Sequence, residues 1–262
     1  MISNISNLTI CDSYITLVLI LENVVSTAPP LAIKSEDRVP TGIKGLDEMI
    51  EGGFPRGSMI LLAGSPGSGK TIASAQYLYH GASDFGENGV YISFVERESV
   101  FLKNMEKFGL NFERLKNEGK FKFLDMITPG SEAFSIDSMN LALKEVQSMK
   151  AQRLVIDSFT AISSVFDKKA EARIVLHLLE VLMLELGCTT LLVVEVPTGH
   201  RDLGLGFEEF IADGLILFET AREKLGVRKR AIISKMRGTN HSQNYCNIVI
   251  SNQGFSLVPY VT

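Results

Sequence analysis

"MILLAGSPGSGKT", residues 59–71, is the stretch on which the fold turns. Its first half, Met59 to Ala63, is a short apolar run of the kind taken by a strand covered on both faces. Its second half, Gly64 to Thr71, matches G-x-x-x-x-G-K-[ST] at every fixed position. The segment "TIASAQYLYHGA" (71–82) then reads as a helix, so the motif stands in the strand, loop, helix order that it needs. Each residue type has a physical reason. Gly64, Gly67 and Gly69 let the backbone turn so that N–H groups of the loop point at phosphate oxygens, aided by the positive end of the helix dipole. Ser65, Pro66 and Ser68 complete the cradle, Lys70 reaches the β- and γ-phosphates, and Thr71 offers a hydroxyl to Mg²⁺. A glycine-rich turn without a ligand is the plainer alternative, and the intact motif in its required context argues against it.

Outward from this stretch, strand and helix patterns alternate. "VYISF" (90–94), "FKFLD" (121–125), "RLVID" (153–157) and "TLLVV" (190–194) are further short apolar runs. Between them, Phe101, Met105 and Phe108, and then Ile174, Val175, Leu178, Leu179, Leu182 and Leu186, recur at helical spacing and predict apolar stripes that pack on a sheet. This βαβ alternation predicts an α/β fold with a mainly parallel sheet flanked by helices. After Asp213 two strand-like runs surround a charged turn, and "NIVIS" and "FSLVPY" follow, which predicts a C-terminal antiparallel extension.

Residues 1–37 differ from the rest. "YITLVLILENVV" (14–25) is apolar but carries Glu22 and is shorter than the roughly 20 residues of a membrane span. With no Lys or Arg before Lys34, the charged n-region of a secretory signal is absent. The prolines of "STAPPLAIKSED" (26–37) read as a linker, so residues 1–37 are expected to be an appendage on a domain spanning 38–262. With 45% hydrophobic and 21% charged residues the chain has the makings of a sizeable core. A net charge of −4 disfavours holding nucleic acid by bulk electrostatics. Cys11, Cys188 and Cys246 are odd in number, with no CxxC pair, so neither a disulfide framework nor a zinc site is expected and a cytoplasmic location fits.

Asp157, closing "RLVID", is the candidate for supporting the metal hydration shell, from a strand expected to lie next to the one that feeds the loop. Many parallel strands also end in Asp as a cap, and the match is weak without its partner motif. Two longer segments sharpen the reading. "RVPTGIKGLDEMIEGGFPRGSMILLAGSPGSGKT" (38–71) and "KMRGTNH" (235–241) resemble the entry segment and the K-x-R-G-x-x-H signature of the KaiC-domain branch of the RecA-like ATPases, a likeness covering residues 38–260. The resemblance implies a RecA-like P-loop core, ATP with Mg²⁺ as ligand, and nucleotide held between subunits of a homo-oligomeric ring, for which a hexamer is one size. It also implies that Lys235 and Arg237 form an inter-subunit finger. Two apart on a strand they share a face, which suits a γ-phosphate presented by a neighbour. A solvated basic hairpin is the alternative, since Arg222, Lys224, Arg228, Lys229 and Arg230 are close by in sequence.

In "VYISFVERE" the chain departs from the family's pattern. KaiC-like proteins show two adjacent acids after the aromatic of this strand, the first being the catalytic one; here the first is Val95 and only Glu96 is retained. A one-residue slip reverses the face of a strand residue, so Glu96 serves as base only if the strand has ended and the loop re-aims it. Glu98 is expected in the first turn of the next helix, where an acid suits the dipole. Glu195, at another strand end, is a further candidate for sensing the γ-phosphate or water, and His241 occupies the signature's last position. Three functions follow: an ATPase coupling slow hydrolysis to an unknown protein client, an ATP-dependent switch that hydrolyses little, or a recombination paralogue that binds DNA. The acidic balance counts against the third.

Overall fold

The computed structural model describes residues 37–127, 136–163, 169–196, 206, 208–223 and 226–260. The 14–25 run and all but the last residue of the expected appendage lie outside them. Among the described residues no helix is long and apolar enough to cross a membrane.

The apolar runs are strands. β1 (Arg38–Val39) pairs with β2 (Phe54–Pro55) in a small ribbon. The main sheet comprises β3 (Met59–Gly64), β4 (Gly89–Ser93), β5 (Phe121–Asp125), β6 (Arg153–Asp157), β7 (Thr189–Glu195), β8 (Gly214–Glu223), β9 (Gly226–Met236), β10 (Cys246–Ser251) and β11 (Gly254–Pro259). Its order is β11-β10-β9-β8-β3-β7-β6-β4-β5. Every pairing from β8 to β5 is parallel and every pairing from β8 to β11 is antiparallel, as the sequence pattern predicts.

Helices cover both faces, which is why β3, β4 and β6 are buried at every position and carry no polar alternation. On one face lie α1 (Lys70–Asp84), α2 (Glu98–Glu106) and α3 (Phe112–Asn117), whose Tyr77, Leu78, Phe101, Met105 and Leu115 join one core cluster. On the other lie α4 (Ile136–Ser148), α5 (Phe159–Ser163) and α6 (Lys169–Glu185), contributing Leu143, Ile162, Leu176 and Leu182 to a second. The predicted α6 stripe is corrected at one position. Ile174 points to solvent, while Val175 and Leu182 are buried.

The entry segment serves the fold. Thr41 donates both its N–H and its hydroxyl to Asp47 Oδ1, at 2.8 and 2.7 Å, which closes the loop ahead of a single 3₁₀ turn at Asp47–Ile50. Leu257 N–H donates to the Lys44 carbonyl at 2.9 Å and ties that loop to β11.

Candidate functional site

The strand-ending β3 delivers the 64–69 loop into the N-terminus of α1, whose first N–H groups have no partners within the helix. Gly69 caps that helix at φ 107°, and a Cβ there would come within 2.8 Å of Ile250 Cδ1. A Cβ on Gly64 would meet the Phe218 carbonyl oxygen at 2.6 Å. Side chains at these points would fill the space the loop needs, so the glycines are required by close approach as well as by turn geometry. Ser68 Oγ is buried with no hydrogen-bond partner among the described residues, a donor the loop holds in reserve. Lys70 Nζ donates to the carbonyls of Gly64 and Ser65 at 2.8 and 3.0 Å. Burial pushes this ammonium's pKa down, against the charges of Glu195 and Asp157.

Thr71 Oγ1 donates to Asp157 Oδ2 at 3.1 Å. The structure therefore brings together the hydroxyl and the carboxylate that the sequence proposes for the metal. It corrects the route: β6 is not next to β3, because β7 lies between them. The strand that does flank β3 ends in Glu195, level with Gly64 in the register. Glu195 N–H donates to Thr160 Oγ1 at 2.8 Å, which anchors that strand end on α5. Asp157 is buried, and its peptide bond to Ser158 is cis. Burial raises its carboxyl pKa, while hydrogen bonds from Tyr91 and Thr71 and the charge of Lys70 pull it back.

Among the described residues no group of three or more His, Cys, Asp or Glu could hold a metal ion. One hydroxyl and one carboxylate suit Mg²⁺, which keeps waters and takes its remaining oxygens from substrate phosphates. The donor set thus fits a nucleotide-borne Mg²⁺ and not a dedicated protein cage.

β4 ends at Ser93, before either acid of "VERE". Ser93 Oγ accepts the N–H groups of Val95 and Glu96 at 3.3 and 2.9 Å, so the chain turns away from strand geometry there. Val95 is 57% exposed, whereas Glu96 is half-buried, its Oε1 accepting from Asn104 Nδ2 of α2 at 2.8 Å. Burial pushes the Glu96 carboxyl pKa up; the Asn104 bond opposes the rise and the negative charge of Asp157 adds to it. Glu98 opens α2 as expected and pairs with Lys116 at 2.6 Å.

Lys235 and Arg237 stand at the other end of the sheet. Lys235 is level with Leu215, and Arg237 N–H donates to the carbonyl of Asp213, whose own N–H donates to the Met59 carbonyl. Arg237 thus sits at the start of β3 and Gly64 at its end, a separation of roughly 16 Å along the strand direction. Arg237 lies one residue beyond β9, yet both side chains turn to one place. They donate to the carbonyls of Glu209, Phe210, Ile211 and Ala212, at the end of α7 (Glu208–Ile211), the orphan acceptors of a helix C-terminus. Burial pushes the Lys235 ammonium pKa down. His241 follows in the next loop, half-buried, its Nδ1 3.2 Å from the Ser242 carbonyl.

The basic hairpin is engaged within the molecule. Arg230 pairs with Glu219 at 2.6 Å and stacks on Tyr245, Arg228 lies over Tyr260, and Lys229 Nζ donates to the Gly67 carbonyl at 2.6 Å. Tyr91, Asn104, Thr160 and Lys229 are contacts that sequence reasoning missed. Tyr91, Thr160 and Lys229 join segments far apart in the chain, which no local pattern reveals, and Asn104 reaches back eight residues from α2 to Glu96.

The family model described as "ATPase: KaiC" matches residues 39–261. A UPF0273 protein of Thermotoga maritima is 34% identical over 235 residues, covering 85% of this chain and 96% of the relative. The circadian clock oscillator protein KaiC of Nostoc sp. is 32% identical over 231 residues, 85% of this chain and 44% of that longer relative. Among solved structures, a KaiC-like protein from the hyperthermophilic archaeon Pyrococcus horikoshii superposes with a TM-score of 0.77 at 37% identity, covering 85% of this chain and 99% of the other.

Proposed function

The chain belongs to the KaiC family of ATPase domains, and from that premise we propose that it binds Mg-ATP in the Gly64–Thr71 cradle and hydrolyses it slowly, between subunits of a homo-oligomeric ring that acts on a protein client. The observation that carries this reading is the 3.1 Å contact of Thr71 with Asp157, which joins the phosphate loop to a buried carboxylate across an intervening strand.

Each residue then has a task. The loop N–H groups and the α1 dipole bind phosphate oxygens. Lys70, which donates to the Gly64 and Ser65 carbonyls, would reach the β- and γ-phosphates, and Thr71 with Asp157 would hold the metal and its waters. When bound, Mg²⁺ neutralises charge on the β- and γ-phosphate oxygens. Glu96 is the base that orients and deprotonates the attacking water, because the chain leaves strand geometry at Ser93 and Asn104 fixes the carboxylate. Lys235 and Arg237 act in trans, since they stand at the far end of the sheet from their own loop. The DNA-binding reading loses support from the internal pairing of Arg230, Arg228 and Lys229. The switch reading rests on one observation, the exposed Val95 where the family carries its first acid.

The test is steady-state phosphate release over a range of protein concentration for wild type, Glu96→Gln and Lys70→Ala. Wild-type turnover should rise as subunits assemble and fall by roughly 10² to 10⁴ in Glu96→Gln, with nucleotide still bound. If wild type binds ATP but releases phosphate no faster than Lys70→Ala, hydrolysis is refuted and the protein is an ATP-dependent switch.

A further inference from the structure

Tyr91 sits in the middle of β4, fully enclosed. That hydroxyl donates to Asp157 Oδ2 at 2.7 Å, and Thr71 Oγ1 donates to the same oxygen at 3.1 Å. The Ser74 hydroxyl of α1 donates to the Thr71 carbonyl at 3.1 Å. Asp157 Oδ1 accepts no hydrogen bond from the described residues. The carboxylate is thus clamped through one oxygen, leaving the other to take a metal-bound water.

Packing around the ring holds the clamp. The Tyr91 ring stacks on Phe123 with centroids 5.3 Å apart and an interplanar angle of 5°, and Phe101 packs against it at 4.6 Å. Phe112 and Phe121 extend the same aromatic cluster. A ring held on these sides has little freedom to swing its hydroxyl away from Asp157. Carboxylates that support a metal site depend on such outer partners, whose loss typically costs about 10- to 100-fold in metal affinity.

We propose that Tyr91 is a positioning residue for the Mg²⁺ of the nucleotide, acting through Asp157 and touching neither metal nor phosphate. The proposal rests on the Mg-nucleotide reading above.

The test is fluorescence binding of mant-ADP, with MgCl₂ titrated, to wild type, Tyr91→Phe, Phe112→Leu and Lys70→Ala. Tyr91→Phe removes one oxygen and leaves the aromatic cluster in place. It should keep wild-type affinity for mant-ADP without Mg²⁺ and raise the half-saturating Mg²⁺ about tenfold or more. Phe112→Leu disturbs the cluster at a ring that packs on Phe101 and Phe121, so it should lower the melting temperature and keep the wild-type Mg²⁺ midpoint. A Tyr91→Phe midpoint equal to wild type, with wild type clearly Mg²⁺-dependent, overturns the proposal, as does an equal shift in Phe112→Leu. Wild-type binding that ignores Mg²⁺, or that survives Lys70→Ala, overturns the underlying reading, and the role of Tyr91 with it.

Discussion

At Asp157 a charge is held where burial disfavours it, and the sign of the imbalance yields a prediction. Its pKa in the folded chain is raised by burial, despite two hydrogen bonds and Lys70. A carboxyl whose folded pKa exceeds its unfolded one binds a proton more readily in the native state, so its ionisation subtracts stability at neutral pH. That loss fades as pH falls through the raised pKa. Asp157→Asn should therefore melt at the same temperature as wild type or higher at pH 7.5 without nucleotide. The advantage should shrink toward acid pH. Under the proposed function, in which this carboxylate meets the metal, the same variant should lose the gain in melting temperature expected for wild type with Mg-ADP. Differential scanning fluorimetry with and without Mg-ADP reads both effects. A large fall in the nucleotide-free melting temperature would mean that the charge stabilises the fold.

Between elements, a buried ionic tie lies away from the phosphate loop. At the base of β6, Arg153 is wholly enclosed; its Nε donates to Glu87 Oε2 at 2.6 Å and its Nη1 to the Tyr77 carbonyl of α1 at 2.9 Å. Its guanidinium also lies over the Tyr77 ring, and Glu87 takes a second cation, Arg56, at 2.9 Å. Removing one partner of a buried pair leaves the other uncompensated, so Glu87→Gln should cost about 3 to 5 kcal/mol in urea unfolding. Glu98→Gln, which breaks the exposed pair with Lys116, should cost less than about 1 kcal/mol. Neither change touches the nucleotide cradle. Elements of this kind were legible where local chemistry decides them. The apolar runs appear as strands, Glu98 opens a helix, and the loop from Gly64 to Thr71 needs its glycines for reasons visible in the motif itself. Strand order was not, because the insertion of β7 between β3 and β6 is settled by helix packing on two faces and not by any run of residues. Tyr91 shows the same limit. Its apolar ring marks it as a strand residue, and nothing local reveals that its hydroxyl meets a carboxylate 66 residues away.

Across the whole molecule, the phosphate loop and the Lys235–Arg237 pair occupy opposite ends of one sheet. A complete site under the trans reading therefore needs two chains, joined by a heterologous interface. Lys70→Ala and Arg237→Ala should each abolish ATP turnover in pure form. Mixed in equal parts and allowed to exchange subunits, they should recover about a quarter of wild-type turnover, because that share of interfaces pairs an intact loop with an intact finger. A mixture as inactive as its components would overturn the trans reading. β9 gives this arrangement a further property. Near its start Lys229 holds the Gly67 carbonyl, and past a break in register opposite Leu215 and Ile216 it reaches Lys235, with Arg237 one residue beyond its end. Under the trans reading, one strand is fastened to its own subunit's phosphate loop at one end and aimed at the next subunit's at the other, so around a closed assembly these strands would run from site to site like links in a chain.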